Sequence, residues 1–469
     1  MSTRAVQCLP LLGALLLTGC LSLAPKYERP ASPAPQAWPQ GDAYAPTEAG
    51  HATDLAWRDF FTDPKLKSVI ELALKNNRDL RVAILNIQEA RAQYGEQRAA
   101  QLPAVSATDG ATTERSPAGL NEFGLKRDVR LYQADVGVSA FELDLWGRVR
   151  NLTRQAQEQV LATEEARRAA QISLISEVAA DYLTLGADRQ RLTTAEETFK
   201  ADQETLRITE ARFKDGVVSE LDVRQAQTVV DQARSDVLTY TTQSAQDLNA
   251  LNLVVGAATP DTLSPSGLDG TLPTLADVPA GLSSEVLLGR PDVLQAEHQL
   301  RGYNANIGAA RAAFFPTISL TGSTGSESLY LDRLFTPGSG TWAFGPSISL
   351  PIFAGGKNVA ALKLSKAQRD VAVAQYELAI QTAFRETADA LAQRGTAARQ
   401  IEAQEQLVEA ASAALKLSQA RYQKGVDTYL SLLDAQRTLY TAQQTLITAR
   451  ANRATNLVTL YRVLGGGVS

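Results

Sequence analysis

Two long stretches without proline constrain this sequence most strongly. No proline occurs from Arg148 to Thr259, and none occurs from Ile352 to the end of the 469-residue chain. Proline breaks a helix interior, because it lacks a backbone donor and its ring clashes with the preceding turn. The chain is also rich in alanine, leucine, glutamine and arginine, which favour helices. We therefore predict long helical regions over about 148–255 and 357–464.

The sequence repeats itself once. Residues 211–227 (ARFKDGVVSELDVRQAQ) and residues 420–436 (ARYQKGVDTYLSLLDAQ) lie 209 positions apart and share seven residues in place. Gly256 and Gly465 keep the same offset. A match that holds its register over such a distance indicates two copies of one structural unit.

Each copy has the same predicted order of elements: a helix that ends at a proline, two strands and a long helical region. The first repeat is predicted at 65–282 and the second at 283–469, with first helices at about 65–101 and 283–313. In the long regions apolar residues recur at alternating spacings of three and four, which is typical of a coiled-coil seam. Ordinary antiparallel helix packing would produce the same spacing.

Short segments of alternating apolar and polar residues predict strands near 103–115, 130–146, 316–328 and 341–353. Such alternation suits the wall of a membrane barrel, but it also suits a half-buried sheet on a soluble domain. If the strands cross a membrane, four of them cannot close a barrel, and lipid does not tolerate open sheet edges. Two copies would give an eight-stranded barrel with a filled interior, whereas three would leave a lumen. On that condition we expect a trimer.

The first residues predict a secretion signal. Arg4 precedes a short apolar run that ends in Gly19, directly before Cys20. This order is typical of a bacterial lipoprotein, with a signal peptide over 1–19, an acylated Cys20 and an acylated, proline-rich leader over 20–64. The residue after the cysteine is leucine and not aspartate, which resembles sorting to the outer membrane. An ordinary signal peptide with a chance cysteine is the alternative.

An enzymatic function finds little support in the sequence. The two histidines, His51 and His298, are far apart and lack metal-ligand spacing, and Cys20 is the only cysteine after the predicted signal peptide. The Gly-Gly-Lys run at 355–357 lacks the other residues of a phosphate-binding loop. The net charge of −5 does not indicate a nucleic-acid partner. We expect no enzymatic activity, no cofactor and no metal site.

Four longer motifs resemble one known family. They are ELDLWGR at 142–148, RPDVLQAE at 290–297, IGAARAAFFP at 307–316 and GVDTYLSLLDAQ at 425–436. They are similar to motifs of the TolC-type outer-membrane factors, and of the OprM branch in particular, and the resemblance extends from Cys20 to about Gly467. It implies a mainly α fold with a membrane β-barrel. In such a fold a long coiled-coil helical tunnel continues a twelve-stranded barrel, to which each chain of a trimer contributes four strands.

The resemblance implies that the protein is the exit duct of a tripartite efflux pump. It would be lipid-anchored in the outer membrane of a Gram-negative bacterium, with its helical part in the periplasm. It would passively conduct drugs and other small molecules from a periplasmic adaptor protein and an inner-membrane transporter of the resistance-nodulation-division class. Two alternatives remain: a TolC-like channel for protein secretion or metal export, and a structural coiled-coil lipoprotein without a pore.

The resemblance also implies a periplasmic gate centred on Asp434. Three copies of this aspartate would form a carboxylate ring at the narrowest point, where mutual repulsion would raise their pKa values. Leu430, one turn earlier, would add an apolar constriction, and Arg437 could pair with Asp434 within the helix or across chains. Tyr422 and Asp222 match positions whose hydrogen bond holds the tips closed in the family. A solvated helix face would explain the same residues.

Two glycine turns, Gly216-Val217 and Gly425-Val426, would join the long helices to the helices that follow. Glycines that simply end helices would account for them. By resemblance, these tips also contact the adaptor. Asp427 stands where some family members carry a basic residue, so the resemblance does not transfer a closing salt bridge to this position.

Overall fold

The computed structural model describes residues 22–44, 56–116, 127–268 and 284–466. In chain order the first half contains α1 (Trp57–Phe60), α2 (Pro64–Asn76), α3 (Arg78–Ala99), β1 (Val105–Ser116), β2 (Arg127–Leu143), α4 (Arg148–Lys214) and α5 (Glu220–Val255). The second half contains α6 (Pro291–Ala312), β3 (Thr317–Ser328), β4 (Gly340–Ser349), α7 (Lys357–Gln423) and α8 (Tyr429–Val463). The predicted signal peptide and Cys20 lie outside the described residues.

The two proline-free stretches form the longest helices. Helices α4 and α7 each contain 67 residues. The helices that follow them, α5 and α8, contain 36 and 35 residues. The equal lengths reproduce the sequence repeat at the level of secondary structure. The predicted regions 148–255 and 357–464 are therefore helical apart from one turn in each.

The first predicted helix, 65–101, is divided in two at Asn77. This residue has an extended backbone, with φ of −60° and ψ of 133°. Its Oδ1 accepts from the amide of Leu80 at 2.8 Å and so caps α3, while its Nδ2 donates to Val254 O on α5 at 2.7 Å. The break is thus fixed by a cap and by a contact with a helix distant in sequence.

The four strands form one antiparallel sheet in the order β1-β2-β3-β4. The pairing of β2 with β3 joins the two halves of the chain, and its register shifts between Val138 and Phe141. Ala140, inside this bulge, has a positive φ of 52°, and its amide donates to Thr321 Oγ1 at 3.1 Å. Next to the sheet, the Trp146 indole donates to Pro316 O at 2.8 Å. The junction between the halves is therefore bonded through both backbone and side chains.

The chain divides into two compact units, and each contains parts of both repeats. The first comprises the described leader up to Ala31 with Asn86–Glu164 and Gln295–Tyr376, and it includes the sheet. The second comprises Ser32–Leu85, Glu165–Leu294 and the chain from Glu377 onward, as far as these are described. The two compact units therefore do not coincide with the two predicted repeats, 65–282 and 283–469.

The second unit has an extensive apolar core. It is built from α1, α2, α4, α5 and α8 around fully buried side chains such as Phe61, Ile70 and Tyr182. The rings of Phe60 and Tyr461 lie 4.7 Å apart and connect the start of the first half to the last helix. None of the helices in the described ranges combines the length and the apolar character needed to cross a bilayer.

Candidate functional site: the two helical turns and the face of the last helix

Each of the two long helices ends in a glycine turn. Gly216 follows α4 and Gly425 follows α7, with φ values of +70° and +73°. In both turns the amide of the next residue, a valine, donates to an arginine carbonyl five residues earlier, at 2.9 and 3.0 Å. This bond, closed over a left-handed glycine, is a Schellman motif. The two turns therefore share one backbone geometry.

Val217 and Val426 project from these turns. Each side chain is 63% exposed. Burial of apolar side chains away from water is favourable. Two valines exposed in the same way therefore form a candidate contact surface. The four predicted tip residues thus lie in two matching turns of the second unit.

Arg212 connects the two turns. Its guanidinium donates from Nη1 to Tyr422 O at 3.2 Å and from Nη2 to Gln423 O at 3.4 Å. The same group lies 4.9 Å from the centre of the Tyr422 ring, within the range of a cation–π contact. An arginine near the end of α4 thus holds the carboxyl end of α7. Arg212 was not among the predicted site residues.

Tyr422 belongs to a small buried cluster between the turns. Its ring lies 5.7 Å from that of Tyr429, at an interplanar angle of 63°. Leu432 and Leu433 complete the cluster together with Ala226 from α5. The hydroxyl of Tyr422 is buried and has no hydrogen-bond partner among the described residues.

Asp222 has a different role from the predicted one within this chain. Its carboxylate accepts from Ser219 N at 2.9 Å and from Ser219 Oγ at 2.8 Å, and Ser219 Oγ accepts from the Asp222 amide at 3.3 Å. This reciprocal arrangement is a capping box at the start of α5. The predicted hydrogen bond between Tyr422 and Asp222 is not formed within the chain and stays a prediction for the assembled protein.

The predicted gate residues share one face of α8. Leu430, Asp434 and Arg437 are all exposed, and their spacings of four and three place them in one row. Tyr429 and Leu433, which flank this row on the helix, are buried against the chain. Among the described residues, neither Asp434 nor Arg437 has a hydrogen-bond or ion-pair partner, so their predicted pairing is not formed within the chain.

Comparison with known proteins decides the family. The model of the outer membrane efflux protein family matches residues 69–257 and again residues 282–466, once for each repeat. The chain belongs to the outer membrane efflux protein family. This result confirms the predicted family and its function in efflux through the outer membrane.

Individual relatives agree with this assignment. The antibiotic efflux pump outer membrane protein ArpC of Pseudomonas putida is 48% identical over 457 residues, which cover 97% of this chain and 94% of the relative. The solvent efflux pump outer membrane protein SrpC of the same species is 47% identical over 464 residues, with 98% of each chain covered. The open-state structure of the Neisseria gonorrhoeae MtrE outer membrane channel superposes with a TM-score of 0.86 at 36% identity, covering 96% of this chain and 99% of MtrE. The predicted fold class, mainly helical with four strands per chain, is confirmed.

In this efflux protein, a buried carboxylic acid lies beneath the candidate gate. Asp202 on α4 is 5% exposed, and its Oδ1 accepts from Gln436 Nε2 on α8 at 3.2 Å. Burial raises the pKa of Asp202 to about 6. Burial also raises the pKa of the Tyr429 hydroxyl, and the charge of Asp202 adds to that effect. A buried carboxyl group with a raised pKa thus contacts α8 at Gln436, two residues after Asp434.

The sequence carried little signal for Arg212 or Asp202. Both lie in the middle of a charged helical pattern in which acids and bases usually face solvent. The repeat offers one clue, because Arg212 aligns with Arg421 and both belong to the matched segment. The identity of a contact partner on another helix cannot be read from either position alone.

Proposed function

We propose that three copies of this chain form the passive exit duct of a tripartite efflux pump. The observation that carries the proposal is the pairing of the sheet: within the described residues, β1 and β4 each pair on one side only. An unpaired edge exposes backbone donors and acceptors, which lipid cannot satisfy. Because the four strands alternate in direction, β4 of one copy can pair antiparallel with β1 of the next. Three sheets would then close a barrel of twelve strands with an open lumen.

The side chains of β4 support a lipid-facing sheet. Trp342, Phe344 and Ile348 are all exposed and, at even spacing, occupy one face of the strand. Large apolar side chains in a row are unfavourable in water, whereas the outer face of a membrane barrel requires them. The same alternation places the intervening positions on the lumen side.

We further infer that the helical turns receive a periplasmic adaptor and, through it, an inner-membrane transporter of the resistance-nodulation-division class. The exposed valines of both turns support this contact. In a trimer, the exposed face of α8 would point to the threefold axis, where Asp434 would form the carboxylate ring of the gate and Leu430 its apolar neighbour. Acylation of Cys20 would anchor the chain to the outer membrane.

The names of two relatives support small-molecule cargo. ArpC is named for antibiotic efflux and SrpC for solvent efflux. Both cover almost the whole of this chain, so the cargo class of this duct is proposed to be antibiotics and small apolar solvents. Deletion of the gene should then lower resistance to these compounds, while metal tolerance and protein secretion stay unchanged. A metal or secretion phenotype alone would contradict the cargo class.

The duct itself is tested on purified protein. We expect a trimer that resists dissociation in SDS and that forms discrete conducting channels in planar bilayers. The charge-introducing pair Trp342→Lys and Phe344→Lys on the lipid face of β4 should prevent trimer insertion, because a cation facing lipid costs about 2–4 kcal/mol near the membrane centre. A monomer without conductance, or full assembly of the double variant, would overturn the proposal.

A further inference from the structure

The described part of the leader is attached to one face of α6. Arg311 Nη1 donates to Leu23 O at 2.9 Å. Seven residues earlier on the helix, Asn304 Nδ2 donates to Pro25 O at 2.8 Å. Between them, a Cβ at Gly308 would lie 2.6 Å from the amide nitrogen of Ala24, closer than such atoms approach. The leader therefore packs directly against the backbone of α6.

A buried carboxylate completes this attachment. Glu297 is 2% exposed and accepts from both Arg29 Nε and Nη2, at 3.1 and 2.6 Å. It also accepts from Arg301 Nη2 at 2.7 Å and from the Tyr27 hydroxyl at 3.0 Å. Burial would raise the pKa of Glu297, but the hydrogen bonds from Arg29 and Arg301 outweigh it and lower the pKa. One ionised carboxylate thus serves two arginines, which leaves a positive charge in excess.

The leader, α4 and α6 enclose a cavity of about 390 Å³, which we name the leader pocket. This volume lies within the range of about 300–1,000 Å³ typical of small-ligand sites. Lys26 from the leader, Arg154 from α4 and Arg301 from α6 line it, so each wall contributes a cation. The only acid we find among its described lining residues is Glu158, which lies 2.7 Å from His298 Nδ1.

Two of these cations have no protein partner. Within the described residues, neither Lys26 nor Arg154 makes an ion pair or a side-chain hydrogen bond. Arg301 is already partnered, because its Nη2 donates to Glu297 and its guanidinium lies 5.0 Å from the centre of the Tyr27 ring. Two cationic groups with free donors, beside a third cation at the same cavity, are an arrangement that binds an oxyanion, since guanidinium and ammonium donors match phosphate oxygens.

The leader pocket lies close to the sheet along two separate helices. Arg154 is six residues after the start of α4, which follows β2, so it lies about 9 Å along the helix at about 1.5 Å per residue. Asn304 is eight residues before the end of α6, which precedes β3, or about 12 Å by the same rise. If the sheet crosses the outer membrane, as proposed above, the pocket faces the headgroups of the periplasmic leaflet.

We propose that the leader pocket binds a phosphate group, that of an anionic phospholipid headgroup or free phosphate. The negative group would bridge the leader and α4 through Lys26 and Arg154, between which the described residues provide no ion pair or side-chain hydrogen bond. Its occupancy would strengthen the attachment of the leader at the membrane surface.

The test uses full-length trimer purified in detergent and stripped of lipid. Binding of phosphatidylglycerol is measured by native mass spectrometry, and binding of inorganic phosphate by titration calorimetry. The variant is Lys26→Gln with Arg154→Gln, and its control is Lys363→Gln with Lys366→Gln. The control pair removes the same charge from exposed, unpartnered positions of the same compact unit. Single-channel conductance and thermal unfolding of both variants should match the unaltered protein.

We expect the pocket variant to bind the anionic lipid more weakly by about fivefold for each cation removed, and the control to bind it normally. Weakened lipid binding with no phosphate binding identifies the headgroup as the ligand. Weakened phosphate binding identifies the free anion. If the pocket variant and the control bind both probes as well as the unaltered protein, or lose them equally, the proposal is overturned. In that case single-channel conductance still tests the proposed duct, because it is measured separately from ligand binding.

Discussion

Arg421 and Asp427 form a two-bond ion pair that spans the second glycine turn, with Nε–Oδ2 and Nη2–Oδ1 distances of 2.6 and 2.9 Å. The repeat places Arg212 and Val218 at the matching positions of the first turn. Since Val218 offers no acceptor, Arg212 extends instead to the carbonyl oxygens at the end of α7. The difference between Asp427 and Val218 therefore accounts for an arginine that bonds within its own turn in one repeat and to the other turn in the other.

Replacement of Arg212 should loosen the two turns from each other. Arg212→Gln removes two long hydrogen bonds and a cation–π contact, together about 1–2 kcal/mol. If opening separates the turns, the open fraction should rise by roughly 5- to 30-fold, measured as single-channel open probability in planar bilayers. Arg421→Gln is the matched control, because its bonds stay within one turn. Equal effects of the two variants would show that Arg212 does not tie the turns.

Val218→Asp should produce the same opening without touching the arginine. The new carboxylate would give Arg212 a local partner like that of Arg421, and would draw it away from α7. Hydrogen exchange of the amides near the end of α7 should increase, and open probability should increase with it. The reciprocal variant, Asp427→Val, should leave the contacts of Arg212 unchanged. Unaltered exchange in Val218→Asp would contradict the explanation of the asymmetry.

The gate proposal predicts a specific effect for Asp434. Asp434→Ala removes the carboxylate ring that would repel itself and attract cations at the threefold axis. We expect higher conductance and weaker block by divalent cations. Gln225→Ala is the control, since Gln225 occupies the matching position of the first repeat. Conductance and block that equal those of the unaltered protein would exclude Asp434 from the gate.

Asp202 should make stability depend on pH. Burial raises its folded-state pKa to about 6, whereas an unfolded aspartate has a pKa of about 3.9. The folded state then binds the proton more tightly, so stability should fall as pH rises from about 4 to about 6 and then level off. Asp202→Asn keeps an acceptor for Gln436 and should reduce that slope in thermal unfolding, while Asp181 and Asp247, whose pKa values burial also raises to about 6, retain the remainder. The exposed Asp231→Asn is the control, and a slope unchanged by Asp202→Asn would show that Asp202 is not its source.

The sequence allowed the long helices, the repeat, the strands and the glycine turns to be predicted, because each rests on a local signal. Proline and left-handed glycine constrain the backbone at their own positions and in the adjoining turn. The break at Asn77 was not predicted, because only one of its two supports, the cap on Leu80, is local, and the other is a carbonyl of Val254 far along the chain. The contact of Arg212 with α7 could not be predicted for a similar reason, since Arg421, at the matching position of the repeat, has a different partner. Contacts between helices that are distant in sequence are determined by the folded structure and cannot be predicted from either helix alone.

The close approach of Gly256 to the chain beside the Asn77 break yields a last prediction. Gly256, at the end of α5, has φ of +75°, and a Cβ there would lie 2.6 Å from Asn76 O. Gly216 has nearly the same conformation, with φ of +70°, but nothing lies within 4 Å of its Cβ position. Gly216→Ala should therefore cost only the left-handed strain of about 1–2 kcal/mol. Gly256→Ala should cost more, because the chain at Asn76 must also move. Both variants are compared by thermal unfolding under the same conditions, and an equal loss of stability in the two would contradict this prediction.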